Sequence, residues 1–505
     1  SLERLSNVAI TIAQGAALKG PIILVWDNVN LSFKAYDQRV ASDHSVQCGT
    51  NATMIEGLEI GPISDLKYVY NRLSMEDLTP DSNDTQHLDK VMRFHLINIL
   101  RMRVDKFRGC TNTVPEVGPL PVMQSKTYPL RTMRIDQSSV EGNKAVIEDI
   151  IKSLQLPEAY FGALKRIILA GDQLTVCRVR SIIKQLKREK TAYARIKTNY
   201  GSPGVGGSLA NTISLLGRIR VNKDKPNFHA VDELIRHVLD VTALKAWEEV
   251  FDTKDLSIIA DGLDKSVVER LVQKKADEIL FKILSHSQHE ERDGVVFVEE
   301  ESPVKTTASM NSSLFLRDAI VYVELGVSIK AGDIGRIEAI LRWMTIMFQA
   351  GSTKNYANEL LHLFCGLRYA WPDQAKRAIL SSMLVNTTGK PNRWLATDMH
   401  QEHNNLLIKV IHAAKGGNLS WETLAEKIAA IIETFARTKK KFEAEFGLKH
   451  NNTRHGTVDS IDEINILMGA LRDHDIFSVH PTRPNSKKAE PVVDLMEQGD
   501  DQLAE

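Results

Sequence analysis

The sequence predicts a small α/β core, built on a mixed sheet, carried by a much larger and mostly α-helical remainder. Three observations lead there. Two apolar runs, Pro21 to Asn30 (PIILVWDNVN) and Ile167 to Ala170 (IILA), read as strands buried on both faces and ending in polar residues. The second run meets a Gly171-Asp172 turn and then a helix whose Val179, Ile182, Ile183 and Leu186 repeat at one-face spacing. From about Val231 onward, apolar residues recur at helical intervals almost to the end.

The elements follow in order. Gln38 to Ile60 reads as one or two further strands broken by Cys48-Gly49-Thr50 and Gly61-Pro62. Between about 65 and 140 lies an insertion with a helix over Asp89 to Lys106 and a proline-rich loop at Val114 to Pro121. A helix over Asn143 to Leu154 leads into the second buried run. After the strand-to-helix unit, GSPGVGG (Gly201 to Gly207) lacks the Lys-Ser/Thr ending of a phosphate loop and reads as a joint. Ser287 to Met310 reads as an acidic linker. Helices are expected over stripes such as Leu316, Ile320, Val323, Val327 and Ile337, Leu341, Met344, Phe348, with Asp333 as N-cap between them. Further helices are expected over about 354–369, 373–384, 402–414, 421–446 and 460–474. The expected division is therefore 1–200 α/β core, 201–310 helical segment with linker, 311–475 helical region and 476–505 disordered acidic tail.

Composition narrows the function classes. The chain has 505 residues, 43% apolar, with Lys+Arg and Asp+Glu equal at 64. No overall basic field exists, so any nucleic-acid binding is local. The four cysteines form no CxxC pair, which speaks against structural zinc and a disulfide framework and for a reducing compartment. No run of about 18 apolar residues suggests a membrane span. Ser at position 1 is what a fragment or processed form presents. The expected compartment is intracellular, and nuclear for a chain that acts on DNA.

The residues that can carry chemistry are acids at strand ends. Asp27 and Asp172 each follow a buried strand; if those strands are parallel neighbours, the carboxylates lie side by side at the sheet edge where open sheets put their sites. Close carboxylates repel unless a cation joins them, and hard oxygen ligands suit Mg²⁺ or Mn²⁺. A third acid is expected from a helix. Glu359 lies on a polar stripe with Asn355 and His362; Glu402 lies in the dense DMHQEHNN block with His403. Glu359 is favoured and Glu402 is the alternative. Asn28 and Gln173 are candidate supporting polar groups. The plain alternatives are an N-cap for Asp172, an Asx turn for Asp27 and a buried hydrogen-bond network for either stripe. Downstream of Asp172 runs the densest basic stretch, including Arg178, Arg180, Lys184, Lys187, Arg188 and Lys190, a candidate track for a phosphate backbone or else a solvated helix face. Cys177 reads as packing, and no GxSxG serine motif occurs.

Several blocks carry a resemblance: VWDNVN, GDQLTVCRVRS, LFLRDAIVYVELGVSIKAGDIGRIEAILRWM, NYANELLHLF, WPDQAKRAIL, VNTTGKPN, DMHQEHNN and TRHGT. In this order they resemble a family of uncharacterised, transposon-associated proteins abundant in mushroom-forming fungi, over about residues 20–475. The family brings no established activity. Members of that family carry a longer segment with a Phe-His element before GSLANT; if that segment helps build the site, the shortness near 190–207 implies an inactive copy, and otherwise a segment missing from the sequence. By analogy alone, the order of parts is similar to a ribonuclease H-like transposase: an acid on the first strand, an acid after a later strand, a helical insertion, then an acid on a helix.

The leading expectation is thus a transposon-derived nuclease or transposase-like protein using two Mg²⁺ or Mn²⁺ on DNA, with no nucleotide or haem cofactor and no protein partner legible. The alternative is a non-enzymatic helical scaffold that binds protein or nucleic acid. A third reading is a helical metalloprotein using Glu359 and His362 with Glu402 or His403.

Overall fold

The structure, a computed structural model, describes residues 1–33, 45–57, 79–157, 167–186, 197–198, 228–284, 291–292, 295–296, 307–351, 354–414, 419–447, 460–474, 477, 492 and 494–504. Within them the chain is mixed α/β and mostly helical, as expected. The glycine-rich joint at 201–207, the TRHGT block and most of the expected linker lie outside the described residues.

Five strands form the main sheet: β1 (Ile22–Phe33), β2 (Ser45–Glu56), β3 (Thr127–Pro129), β4 (Ile167–Ala170) and β5 (Lys197–Thr198). Their order is β3-β2-β1-β4-β5. β1, β2 and β3 pair antiparallel, whereas β4 pairs parallel with β1 and β5 parallel with β4. β1 is therefore central, which explains its unbroken apolar run: both faces must be covered.

One face, carrying Ile22, Leu24, Trp26, Met54 and Leu169, packs on α1 (Leu2–Ala17), α3 (Val140–Ser153) and α4 (Gln173–Leu186). Val179 and Ile182 of the predicted stripe point into this core. Each such side chain, when fully buried, contributes roughly 1.5–3 kcal/mol. Trp26 satisfies its indole N–H with Asn143 Oδ1 at 3.1 Å. The opposite face carries Ile23, Val25, Ile168 and Ala170 and is covered by Ala378 and Val385. Farther along that face, Val29 and Leu31 pack on Ile408 of a later helix.

The helical remainder has its own core, drawn from α2 (Ser82–Arg103), α5 (Phe228–Phe251), α6 (Lys265–Ile279), α7 (Thr307–Ala331), α8 (Ile334–Ala350), α9 (Lys354–Cys365) and α10 (Asp373–Ser382). Asp333 caps α8 as the sequence predicts, accepting from Arg336 N at 3.0 Å. At its centre Glu324 takes both Arg336 Nε (2.7 Å) and Nη2 (2.8 Å) and meets His95 Nε2 at 2.7 Å. Burial pushes the Glu324 carboxyl up, but these partners outweigh it and hold it below its usual range. Then follow α11 (Thr397–Ala414), α12 (Ile432–Glu445), α13 (Ile461–His474) and α14 (Leu495–Ala504).

Gln38 to Ile60, read as one or two strands, contributes one described strand, β2, which as the long antiparallel partner of β1 runs unbroken through Cys48-Gly49-Thr50. One expectation needs correcting. The tail is not disordered throughout: α14 packs on α8, with Met496 buried and Arg317 Nη2 bonded to Asp494 Oδ1 at 2.8 Å. Among the described residues no helix is long and apolar enough to cross a membrane.

Candidate functional site

The register of the sheet brings the two strand acids together. Val25 is level with Ala170 across the parallel β1/β4 pair. Asp27, still on β1, and Asp172, in the turn that leads from β4 into α4, each lie two residues beyond that pair. Asp172 starts α4: its Oδ1 accepts from Thr175 N at 2.7 Å, and its carbonyl accepts from Val176 N at 3.0 Å. The turn before it needs glycine, since a Cβ at Gly171 would meet Thr175 Cγ2 at 2.8 Å. Asp172 therefore caps the helix with one oxygen and remains exposed at the sheet edge.

Asp27 points to the face crossed by α11. Its Oδ2 accepts from Asn405 Nδ2 at 3.0 Å and its Oδ1 from Gln137 Nε2 at 3.4 Å. Asn405 is itself held by a buried network. Its Oδ1 accepts from Asn51 Nδ2 (3.1 Å) and Gln401 Nε2 (3.2 Å), and its amide also reaches the Asn28 carbonyl at 3.3 Å. Thr53 donates to Gln401 Oε1 at 2.7 Å and accepts from Asn404 at 3.1 Å. Around Asp27 the acidic strand and its neighbour are thus stitched to α11 by polar groups, beside the apolar contact of Val29 and Leu31 with Ile408.

On α11, Asp398, Glu402, Asn405 and Lys409 recur at i, i+4, i+7 and i+11, one face of the helix. Since Asn405 of that face touches Asp27, Glu402 and Lys409 flank the strand acids from above. The electrostatics agree. Burial pushes the Asp27 carboxyl up; the Asn28 and Asn405 hydrogen bonds oppose this, the Asp172 charge adds to it and Lys409 opposes it. Burial also pushes Glu402 up, followed by the negative charges of Asp398, Asp27 and Asp172, with Lys409 opposing. Asp27, Asp172 and Glu402 form one mutually repelling group.

Glu359 lies elsewhere. It is buried on α9 and paired with Arg180 Nη2, with Cys177 Sγ 2.9 Å from its Oε1. Arg180 lies eight residues into α4 from Asp172, about 12 Å along the axis. That ion pair balances the charge of the buried Glu359. Burial, then the Arg180 charge, lowers the affinity of His362 for a proton. Asn355 is exposed at the start of α9. Of the basic track, Arg180 serves Glu359 and Arg178 Nη1 donates to the Gln137 carbonyl at 3.0 Å. Lys187, Arg188 and Lys190 lie outside the described residues, as do the side chains of Lys184 and Gln173. Asn28 keeps its carbonyl on Asn405, while its buried Oδ1 accepts no hydrogen bond among the described residues. His403 is turned away from the acids toward a cleft on the other flank of α11. A separate group, Glu233, His237 and Glu463, joins α5 to α13 through a His237 Nδ1 to Glu463 Oε2 contact of 3.0 Å.

Sequence reasoning passed over Asn51, Thr53 and Lys409, and took Gln401 and Asn405 only as part of the dense DMHQEHNN block. A signal existed in the alternating four- and three-residue spacing of Asp398, Glu402, Asn405 and Lys409, whose facing partner only the fold supplies.

Residues 70–204 and 192–455 match a family of unknown function, DUF6589, and the chain belongs to that family. Comparison with curated proteins and with solved structures finds no match.

Proposed function

We propose that this protein is a transposon-derived, divalent-metal-dependent nuclease or transposase-like enzyme that acts on DNA phosphodiesters. The observation that carries the reading is the convergence of Asp27, Asp172 and Glu402, three carboxylates on separate elements whose charges oppose one another. The strand order β3-β2-β1-β4-β5, three antiparallel strands followed by two parallel to β1, supports a ribonuclease H-like core. So does the sequence of acids: first strand, end of the fourth strand, then a helix beyond a long helical insertion.

Hard carboxylate donors suit Mg²⁺ or Mn²⁺, which when bound would activate a water or 3′-hydroxyl and stabilise the leaving oxygen. Asp27 is aimed by Asn405 and Gln137. Asp172 uses one oxygen as a cap and keeps a second for a ligand. Lys409 offsets part of the negative charge and offers a cation to a phosphate crossing the site. Glu402 is the third acid of this reading, in preference to Glu359, whose charge Arg180 already balances.

The test is Mn²⁺-dependent cleavage of labelled DNA. Asn is as good an N-cap as Asp, so Asp172→Asn separates capping from catalysis. Cleavage by wild type, lost in Asp172→Asn and Glu402→Gln and kept in Glu359→Gln, is expected. Equal cleavage by all four proteins, or none by wild type, overturns the proposal.

A further inference from the structure

The flank of α11 opposite the acids borders a cleft of about 600 Å³, within the size range of small-ligand sites. Its walls differ in character. One is α12, which directs Arg437 and Lys440 into the cleft from positions i and i+3. Both are exposed, and neither has a carboxylate partner among the described residues; Arg437 Nη2 makes only a 3.3 Å contact with Thr434 Oγ1. Lys440 belongs to the Lys439 to Lys441 triplet, whose first member is drawn off to Glu443.

The acid on that wall, Glu433, is already engaged: it accepts from Thr127 Oγ1 at 2.7 Å and meets His400 Nε2 at 3.1 Å. Lys126, at the rim, is balanced by Glu56 at 2.8 Å. The uncompensated charge facing the cleft is therefore positive. The cleft is also lined by Leu407 of α11 and Ile12 of α1, the latter more than half exposed, and by the polar His403 and Asn404 of α11. Two cations beside apolar surface and hydrogen-bonding groups, around a space of this volume, match a ligand that joins an anionic group to a flat ring with polar edges.

We propose that this cleft binds a nucleoside phosphate, with its phosphate on Arg437 and Lys440 and its base against Ile12 and Leu407. The nucleotide comes either free or as part of a nucleic-acid strand, and the same chemistry serves both. Because no metal is involved, the inference stands apart from the phosphodiester chemistry proposed above.

Isothermal titration in EDTA, with deoxyadenosine monophosphate in one arm and a short single-stranded oligodeoxynucleotide in the other, provides the test. The intact chain should bind at least one probe, and Arg437→Ala/Lys440→Ala should weaken that binding about tenfold or more, as loss of two charge-assisted contacts requires. Arg437→Lys/Lys440→Arg should weaken it less than the alanine pair does, because both positive charges are kept although the forked geometry of Arg437 is not. Both pairs lie on an exposed helix face, so unchanged melting temperatures should accompany them. Binding of the mononucleotide identifies a free ligand, and binding of the oligonucleotide alone identifies a strand. Failure of both probes at millimolar concentration, or undiminished binding by the alanine pair, overturns the inference.

Discussion

Replacing Asn405 probes how the acidic centre is held. Its amide donates to Asp27 Oδ2 at 3.0 Å, and its carbonyl accepts from Asn51 and Gln401. In Asn405→Ala the Asp27 carboxylate loses a charge-assisted bond worth about 1.5–3 kcal/mol, and the buried Asn51 amide loses its acceptor at about 1–3 kcal/mol. Gln401 keeps its bond to the Asn51 carbonyl at 3.1 Å, which limits the loss. Water reaching the half-exposed Asp27 offsets part of the rest, so the expected cost is about 2–4 kcal/mol. Asn405→Asp has nearly the same shape but sets a second carboxylate beside Asp27. At an effective dielectric of 20, two charges at that separation repel by about 5 kcal/mol, an upper bound because one of them protonates instead. A divalent cation should relieve this repulsion. Urea unfolding at neutral pH, with EDTA and then with Mn²⁺, measures both effects. Asn405→Ala should be destabilised in either buffer, whereas Asn405→Asp should be destabilised in EDTA and recover selectively in Mn²⁺. A cost below about 0.5 kcal/mol for Asn405→Ala, the scale of an ordinary surface change, would refute the network's role. Wild-type stability of Asn405→Asp in EDTA would refute the charge argument.

Two further outcomes follow from the charges. Asp27 and Glu402 bind their protons more tightly folded than unfolded, so each costs stability as pH rises through the interval above its ordinary value, 3.8 for Asp27 and 4.5 for Glu402. In EDTA, Asp27→Asn should therefore gain on wild type as pH climbs from about 4 to neutrality; a stability difference that stays flat over this range in denaturant titrations contradicts the assignment. Arg180→Ala should cost about 3 kcal/mol, because it strands the buried Glu359 charge, while Arg180→Met/Glu359→Leu should recover most of that loss. Strictly additive costs in the double-mutant cycle would show that the pair is not coupled.

Much of the sheet was legible. The apolar run at Pro21 to Asn30 and the IILA run are β1 and β4, since a strand buried on both faces admits few polar residues. β3 was not legible: three residues, Thr-Tyr-Pro, carry no periodicity. The tail helix also escaped notice, because it is held by tertiary contacts, Asp494 on Arg317 and Gly499 against the Ile346 backbone, more than by its own polar sequence.

Asp27 and Asp172 were nominated from sequence alone, because an acid that ends a buried strand stands out against its surroundings. Their adjacency was conditional on β1 and β4 being parallel neighbours, and the register decides it. The third acid shows the limit most clearly. Glu359 and Glu402 both lie on polar helical stripes, and helical periodicity says which residues share a face but not what that face meets. Only the packing of α9 on α4, which pairs Glu359 with Arg180, and of α11 across β1, which sets Asn405 on Asp27, separates a neutralised acid from one turned toward the strand ends.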